Sequence, residues 1–435
     1  MKKILCFGLI FSLLLGLLGC SVPPTGKVVL LDDKGNTLAT VTSFAFQKEG
    51  LLNPAYAPYV SLALTHGVEA LMETQSLTQE DAKEELMVGG YTLHTAFSGA
   101  VFTSLSVMGS ANPNLGLGVA VTNLSGQLIG AYGDYATYQT APHSALKPLS
   151  VYAPFIEYNK GGWSSMFEDS PYKQVDGEDW PKNADGQYTY KSMMLYEGVA
   201  HSVNTLAVKA LKELGTARSI SFLEESFGLD LTGEKSLLQD PDGALGNLAL
   251  GSLTTPVSPV ELAGYYQIFG NEGKYIAPNT LTKITKGEQV VWENQTAPAQ
   301  VISYETAFVM NKLLQGVVTL GTGKEAKCAG IPVVGKTGTG RYENTHDNWF
   351  VGVTPGYSVA VYHNYHKEGN IAPRLFRSAL MGFPHGEKTA FPTCSGVKTA
   401  VFCTATGKAW SPKCAGMVKG YAKESVPVYD ECSAM

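Results

Sequence analysis

Three short groups of residues, in order along the chain, have the types and spacing for acyl transfer: Ser144-Ala-Leu-Lys147, Ser202-Val-Asn204 and Lys336-Thr-Gly338. Serine is a weak nucleophile until a base takes its proton. Residues i and i+3 lie on one face of a helix, so the Lys147 amine can reach the Ser144 hydroxyl. A lysine serves as base only when neutral, and burial together with a second cation, here Lys336, lowers its pKa. Ser202 then relays a proton toward the leaving amine, and Asn204 orients Lys147 or the substrate amide. Thr337, Gly338 and Thr339 are the expected substrate-binding residues. Their strand offers an edge for an extended peptide, and the two threonine hydroxyls suit a substrate carboxylate alongside Lys336. The backbone N–H groups of Ser144 and Thr339 are the expected oxyanion hole. Each motif alone is weak; three in this order are a strong signal.

The stretch "GIPVVGKT", Gly330 to Thr337, also spells the phosphate-cradling pattern G-x-x-x-x-G-K-T. That motif needs a strand before its first glycine and a helix directly after its lysine. Here "KEAKCA" precedes Gly330 without strand character, and Gly338 and Gly340 lead into "NWFVGV", which reads as turn and strand. The phosphate-loop reading fails.

The N-terminus points to export. Met1-Lys2-Lys3 is followed by an apolar run, Ile4 to Leu18, that ends in Leu17-Leu18-Gly19-Cys20. A basic start, a short apolar core and small residues at its end read as a secretory signal, too short for a spanning helix. Its ending resembles a bacterial lipoprotein signal, which makes Cys20 the expected lipidated residue and 1–19 the signal peptide; the alternative is an ordinary cleaved signal with an incidental cysteine. The mature chain is then expected outside the cytoplasm, attached to the membrane by its lipid. The chain has 435 residues, 44% hydrophobic and 16% charged, as a globular protein does. A net charge of −6 gives no basic footprint for nucleic acid. Cys394, Cys403, Cys414 and Cys432 lie near the C-terminus with gaps of 9, 11 and 18 positions. Without tight C-x-x-C pairs this spacing argues against a metal site, and no cofactor is expected. Two disulfides and free thiols both remain open.

Around these motifs the chain alternates in texture. Val28 to Leu31 reads as a strand, and Ser76 or Thr78 as the cap of a helix with an acidic first turn. Leu115 to Asp134 reads as a β-hairpin turning at Ser125-Gly126. Helical patterns dominate 190–320, clearest at Pro259 to Phe269 and Glu305 to Val318. Strands return at Val333-Val334, Trp349 to Val353 and Tyr357 to Tyr362. Strand, helices, strand predicts an α+β domain, helices packed on an antiparallel sheet with a helical subdomain.

The longer stretches "HSALKPLSVYAPFIE", "HSVNTLAVKAL", "LGNLALGSLTTPVSPVELAGYYQIFGNEGKYIAP", "GTGKEAKCAGIPVVGKTGTG" and "DNWFVGVTPGYSVAVY" resemble the transpeptidase domain of class A penicillin-binding proteins. The resemblance covers roughly 86–380, and "GGYTLHTAFS" is similar to the linker that enters that domain. It implies the fold shared with serine β-lactamases, and the division 20–98 linker-like region, 99–385 transpeptidase domain and 386–435 cysteine-containing tail. It implies a D,D-transpeptidase that forms an acyl-enzyme at Ser144 on D-Ala-D-Ala stem peptides of peptidoglycan and binds β-lactams. The alternatives are a D,D-carboxypeptidase, a β-lactamase, or a β-lactam sensor or wall scaffold with negligible turnover.

Two departures stand out. The family's glycosyltransferase domain has no room in the roughly 70 residues between Cys20 and Gly89, so a separate glycosyltransferase is an expected partner. The family's Pro-Gly before the nucleophile is Pro142-His143 here, and His143 is read as a tolerated loop residue, with a titrating role as the alternative. His201 is adjacent to Ser202 and so faces elsewhere. His363 and His366 are read as surface residues, Asp347 as packing at the sheet end. Asp242 is the nearest counterpart of a β-lactamase's deacylating carboxylate.

Overall fold

In the computed structural model the described residues are 26–44, 50–240, 242–342, 345–365, 369–384, 389–426 and 432. At the centre is a five-stranded sheet, antiparallel throughout, in the spatial order Val334–Tyr342, Thr345–Val353, Tyr357–Tyr365, Gly116–Asn123, Leu128–Tyr132. The Gly116–Asn123 and Leu128–Tyr132 strands form the expected hairpin. Asn123 closes its turn by accepting from the N–H groups of Ser125 and Gln127, both at 3.0 Å.

Alternation along the strands splits the core in two. Val119, Val121, Phe350, Val359 and Val361 face one layer, covered by the helices Gly99–Ser110 and Ala372–Leu380. Ala120, Trp349, Val351, Ala360 and Tyr362 face the other, which runs on into the helical subdomain and includes the helices Pro259–Tyr266 and Tyr304–Thr319. Both of these helices start where their sequence says. Ser258 and Glu261 form a reciprocal capping box, and Ser303 accepts from the Thr306 N–H.

The stretch expected to be linker-like, 20–98, contributes from residue 26 onward to a second five-stranded sheet. Its order is Gln289–Glu293, Leu281–Lys286, Tyr91–Thr95, Val28–Leu31, Thr37–Val41. Helix Ala57–Gln75 buries Tyr59, Val60, Ala63 and Leu64 in the same core cluster as the helices Pro259–Tyr266 and Tyr304–Thr319. Burial of this kind stabilises by about 25 cal/mol per Å² of apolar surface, which ties this segment to the rest. Of the two candidate caps, Thr78 starts helix Gln79–Val88; Ser76 instead ends the preceding helix in a left-handed conformation.

The tail forms the hairpin Val397–Cys403 with Met417–Lys423. It docks through Phe402, which is buried, and through Tyr421 against Phe308. His363 is not a surface residue. It is buried on its strand, and Nε2 accepts from the Ile371 N–H at 3.3 Å, because the segment after the strand folds back over it. His366 lies outside the described residues, as does Cys20. Among the described residues no helix is long and apolar enough to cross a membrane.

Candidate active site

The chain enters the site through a tight turn, His143–Ala145, followed by a wider helical turn, Pro148–Tyr152, and then the helix Ala153–Glu157. Pro148 has no N–H, which frees the backbone to widen here. The turn is held from three sides. The His143 N–H donates to Gly251 O at 2.9 Å, the Trp349 indole donates to Ala141 O at 3.0 Å, and the Tyr266 hydroxyl donates to Ala145 O.

Lys147 leaves this turn fully buried, and its Nζ donates to Ser202 O at 3.0 Å and to Asn204 Oδ1 at 2.6 Å. Burial pushes its pKa down to about 7. A neutral amine has two N–H donors and one lone pair. With both donors engaged, the lone pair is left over, and that is what a general base requires. Asn204 is fixed in turn: its Nδ2 donates to Lys182 O at 2.7 Å, which keeps Oδ1 toward Lys147.

Ser202 sits just past helix Leu195–His201 with φ at 60°, a left-handed cap. Its hydroxyl accepts from Lys336 Nζ at 2.7 Å, and Lys336 also donates to Thr337 O at 3.0 Å. Lys336 is fully buried as well, and desolvation followed by repulsion from Lys147 holds its pKa well below the ordinary value. Lys147, Ser202, Asn204 and Lys336 therefore form one connected network. Ser144 is half-buried, and its hydroxyl makes no hydrogen bond among the described residues, the one expected with Lys147 included.

Lys336, Thr337, Gly338 and Thr339 lie on the edge strand Val334–Tyr342. A Cβ at Gly338 would come within 2.5 Å of Pro142 O and 3.0 Å of Ala145 N. The strand thus passes directly over the nucleophile turn with space only for a glycine. Two side chains unmarked by any motif set its hydroxyls. Thr322 lies 2.7 Å from Thr337 oxygen to oxygen, and Asn370 donates to Gly338 O at 3.0 Å and Thr339 Oγ1 at 3.2 Å. Thr322 sits in the Gly321-Thr-Gly323 break, where a binding role leaves no pattern, and Asn370 reaches the strand only through the fold.

His143 has φ at 48°, a conformation that suits glycine and costs other residues on the order of 1–3 kcal/mol. Its ring lies over Gly340, where a Cβ would come within 2.0 Å of Nε2. That nitrogen is 3.6 Å from Asp347 Oδ2. Asp347 also accepts from Thr140 at 3.0 Å and Tyr362 at 2.8 Å. Burial works to raise its pKa, but the His143 imidazole and these two hydroxyls outweigh it and hold the carboxyl below its ordinary value. The strained residue packs its ring against the sheet at Gly340, with Nε2 buried, near Asp347 and without a hydrogen-bond partner among the described residues.

The rival residues lie elsewhere. His201 is exposed. Asp242 is committed to Lys173 and Lys212, each at 3.0 Å, as a surface ion-pair cluster and not as a base for water.

Residues 107–380 match the family described as the penicillin binding protein transpeptidase domain. The chain is 34% identical over 228 residues to Penicillin-binding protein 1A of Clostridium botulinum (strain Hall), covering 50% of this chain and 26% of that protein. It is 31% identical over 328 residues to Penicillin-binding protein 1F of Bacillus subtilis (strain 168), covering 68% of this chain and 44% of the relative. The chain thus spans about a quarter of the length of the first of these relatives. In three dimensions it resembles the D,D-transpeptidase domain of a peptidoglycan glycosyltransferase from Eggerthella lenta. The TM-score is 0.63 at 18% identity, over 82% of this chain and 98% of that one. It also resembles penicillin-binding protein A from M. tuberculosis, solved as an imipenem acyl-enzyme complex, with TM-score 0.63 at 16% identity over 83% and 99%. At such identities the likeness speaks for the fold, which is the α+β transpeptidase fold. By its matched residues, the chain belongs to the penicillin-binding protein transpeptidase family.

Proposed function

We propose that this chain is an extracytoplasmic serine D,D-transpeptidase that cross-links peptidoglycan stem peptides. Ser144 Oγ attacks the carbonyl carbon of the penultimate D-alanine while Lys147 takes the hydroxyl proton. The N–H groups of Ser144 and Thr339 receive the developing oxyanion. Ser202, hydrogen-bonded to Lys336, passes a proton to the nitrogen of the departing D-alanine, and the ester on Ser144 is then taken by the amine of a second stem. Thr337 and Thr339 with Lys336 bind the terminal carboxylate, and Gly338 lets the strand lie close to the nucleophile. A β-lactam acylates the same serine. The observation that carries this reading is the Lys147 amine, buried, shifted to about 7 and with both donors spent on Ser202 O and Asn204 Oδ1. We further propose that residues 99–385 form the catalytic unit, and that Cys20 carries a lipid that holds the chain at the outer face of the membrane, beside a glycosyltransferase partner.

The test is incubation of the full chain with a fluorescent penicillin, beside Ser144→Ala, followed over hours. A stable covalent label that the variant lacks supports the reading, and D-alanine release with dimer formation from a pentapeptide donor and an amine acceptor then separates transpeptidation from carboxypeptidation. Label that appears and vanishes means a β-lactamase. No label on folded protein leaves an inert scaffold. In cells, the labelled chain should partition with membranes and be released by Cys20→Ala.

A further inference from the structure

The tail brings three cysteines to one point. The sulfurs of Cys403, Cys414 and Cys432 all lie within 4.8 Å of one another. Their spacing in sequence gave no such sign; the hairpin and its return make the cluster. Cys403 ends the Val397–Cys403 strand, and its carbonyl accepts from the N–H groups of Thr406 at 3.3 Å and Gly407 at 2.9 Å. Gly407, with φ at 68°, completes that turn. A second turn, Ser411-Pro-Lys-Cys414, is closed by the Cys414 N–H on Ser411 O at 2.9 Å. Cys432 is held between the two: its N–H donates to Ala409 O at 3.0 Å, and its carbonyl accepts from the Ser411 hydroxyl at 2.8 Å.

An odd number of converging thiols does not suit a disulfide framework, because any one bond strands the third sulfur. Cys394 cannot make up the number, since it lies apart from the cluster. All of the described cysteines are free thiols. A tetrahedral zinc ion with Zn–S distances of about 2.3 Å places its sulfurs roughly 3.8 Å apart, within the span seen here. The surrounding donors point the same way. The Ser411 N–H donates to Cys414 Sγ at 3.4 Å and the Thr406 hydroxyl to Cys432 Sγ at 3.2 Å. Such donors orient and stabilise ligating thiolates. Cys403 and Cys432 are buried and Cys414 is half-exposed, so the fourth position opens to solvent on the Cys414 side.

We propose that Cys403, Cys414 and Cys432 form a binding site for a soft divalent cation, zinc by chemistry, with water or an exogenous ligand in fourth place. Binding replaces three S–H bonds by three Zn–S bonds and releases three protons, with no change of oxidation state. The ion ties together a tail too small to build a core of its own.

The test uses the full chain, purified under reducing conditions and reconstituted with zinc, with cobalt as spectroscopic probe. One zinc per chain is expected after gel filtration, together with intense cobalt bands of tetrahedral thiolate ligation. Cys403→Ser, Cys414→Ser and Cys432→Ser should each weaken binding at least ~10-fold, whereas Cys394→Ser and Cys328→Ser should retain the ion. Penicillin labelling of each variant identifies those that remain folded. The proposal fails if the wild-type chain holds no zinc, if folded variants of the three hold it equally well, or if peptide mapping of protein recovered from its exported location finds a disulfide within the trio.

Discussion

Lys147 and Lys336 are two desolvated amines that both bond Ser202, one at its carbonyl and the other at its hydroxyl, and their chemistry is set by which of them carries a proton. With Lys147 at about 7, its neutral form prevails only above that pH. Acylation by a β-lactam should therefore rise about tenfold per pH unit up to pH 7 and level off beyond it. Second-order acylation rates measured from pH 5 to 9 check this, and a profile flat across pH 7 would remove Lys147 as the base. Asn204→Ala, which frees one Lys147 donor, should shift the inflection as well as lower the plateau. Ser202, Asn204 and the two lysines of the network were readable in the sequence because the chemistry they suit prescribes both their types and their order. Thr322, Asn370 and the approach of His143 to Asp347 were not. A threonine between glycines reads as a turn, and an asparagine near a loop has no periodicity to reveal its target.

At the scale of elements, the decisive contact is between the edge strand and the nucleophile turn. Gly338→Ala places a methyl 2.5 Å from Pro142 O, a backbone atom that cannot swing aside. We expect a loss of about 1–3 kcal/mol in stability, as overpacking generally brings, and a fall in acylation of more than ~100-fold, about 3 kcal/mol in transition-state terms. Gly162→Ala, whose Cβ meets open space, should change neither. Thermal melts and acylation rates on both variants decide it; an acylation rate kept by Gly338→Ala would mean that the strand does not set the turn. Hairpins, capped helices and returning strands were legible from alternation and cap residues. The second sheet was not. Pairing of Tyr91–Thr95 with Leu281–Lys286 joins strands far apart in sequence, and no local pattern reports which partner a strand will find.

The whole molecule answers to acid through groups remote from the chemistry. Burial lowers the His363 pKa to about 4, against 6.5 for the free side chain. The unfolded chain takes up the proton first, so the stability it contributes is full above pH 6.5 and is lost as the pH falls toward 4. The loss amounts to about 3 kcal/mol at most. Urea midpoints at pH 7 and 4.5 should differ by less in His363→Gln than in the parent chain, and equal differences would place the acid sensitivity elsewhere. His363 looked like a surface residue in the sequence because its burial comes from a segment folding back, which only the three-dimensional chain reveals. The tail, too, is part of this whole. Trp163 stacks on Tyr196 at 4.0 Å, in the helix that ends beside Ser202, and meets Phe402 at 6.0 Å, next to Cys403. One indole thus lies between the helix that leads to Ser202 and the strand that ends at Cys403, so any unseating of the tail is felt at once on the wall of that helix.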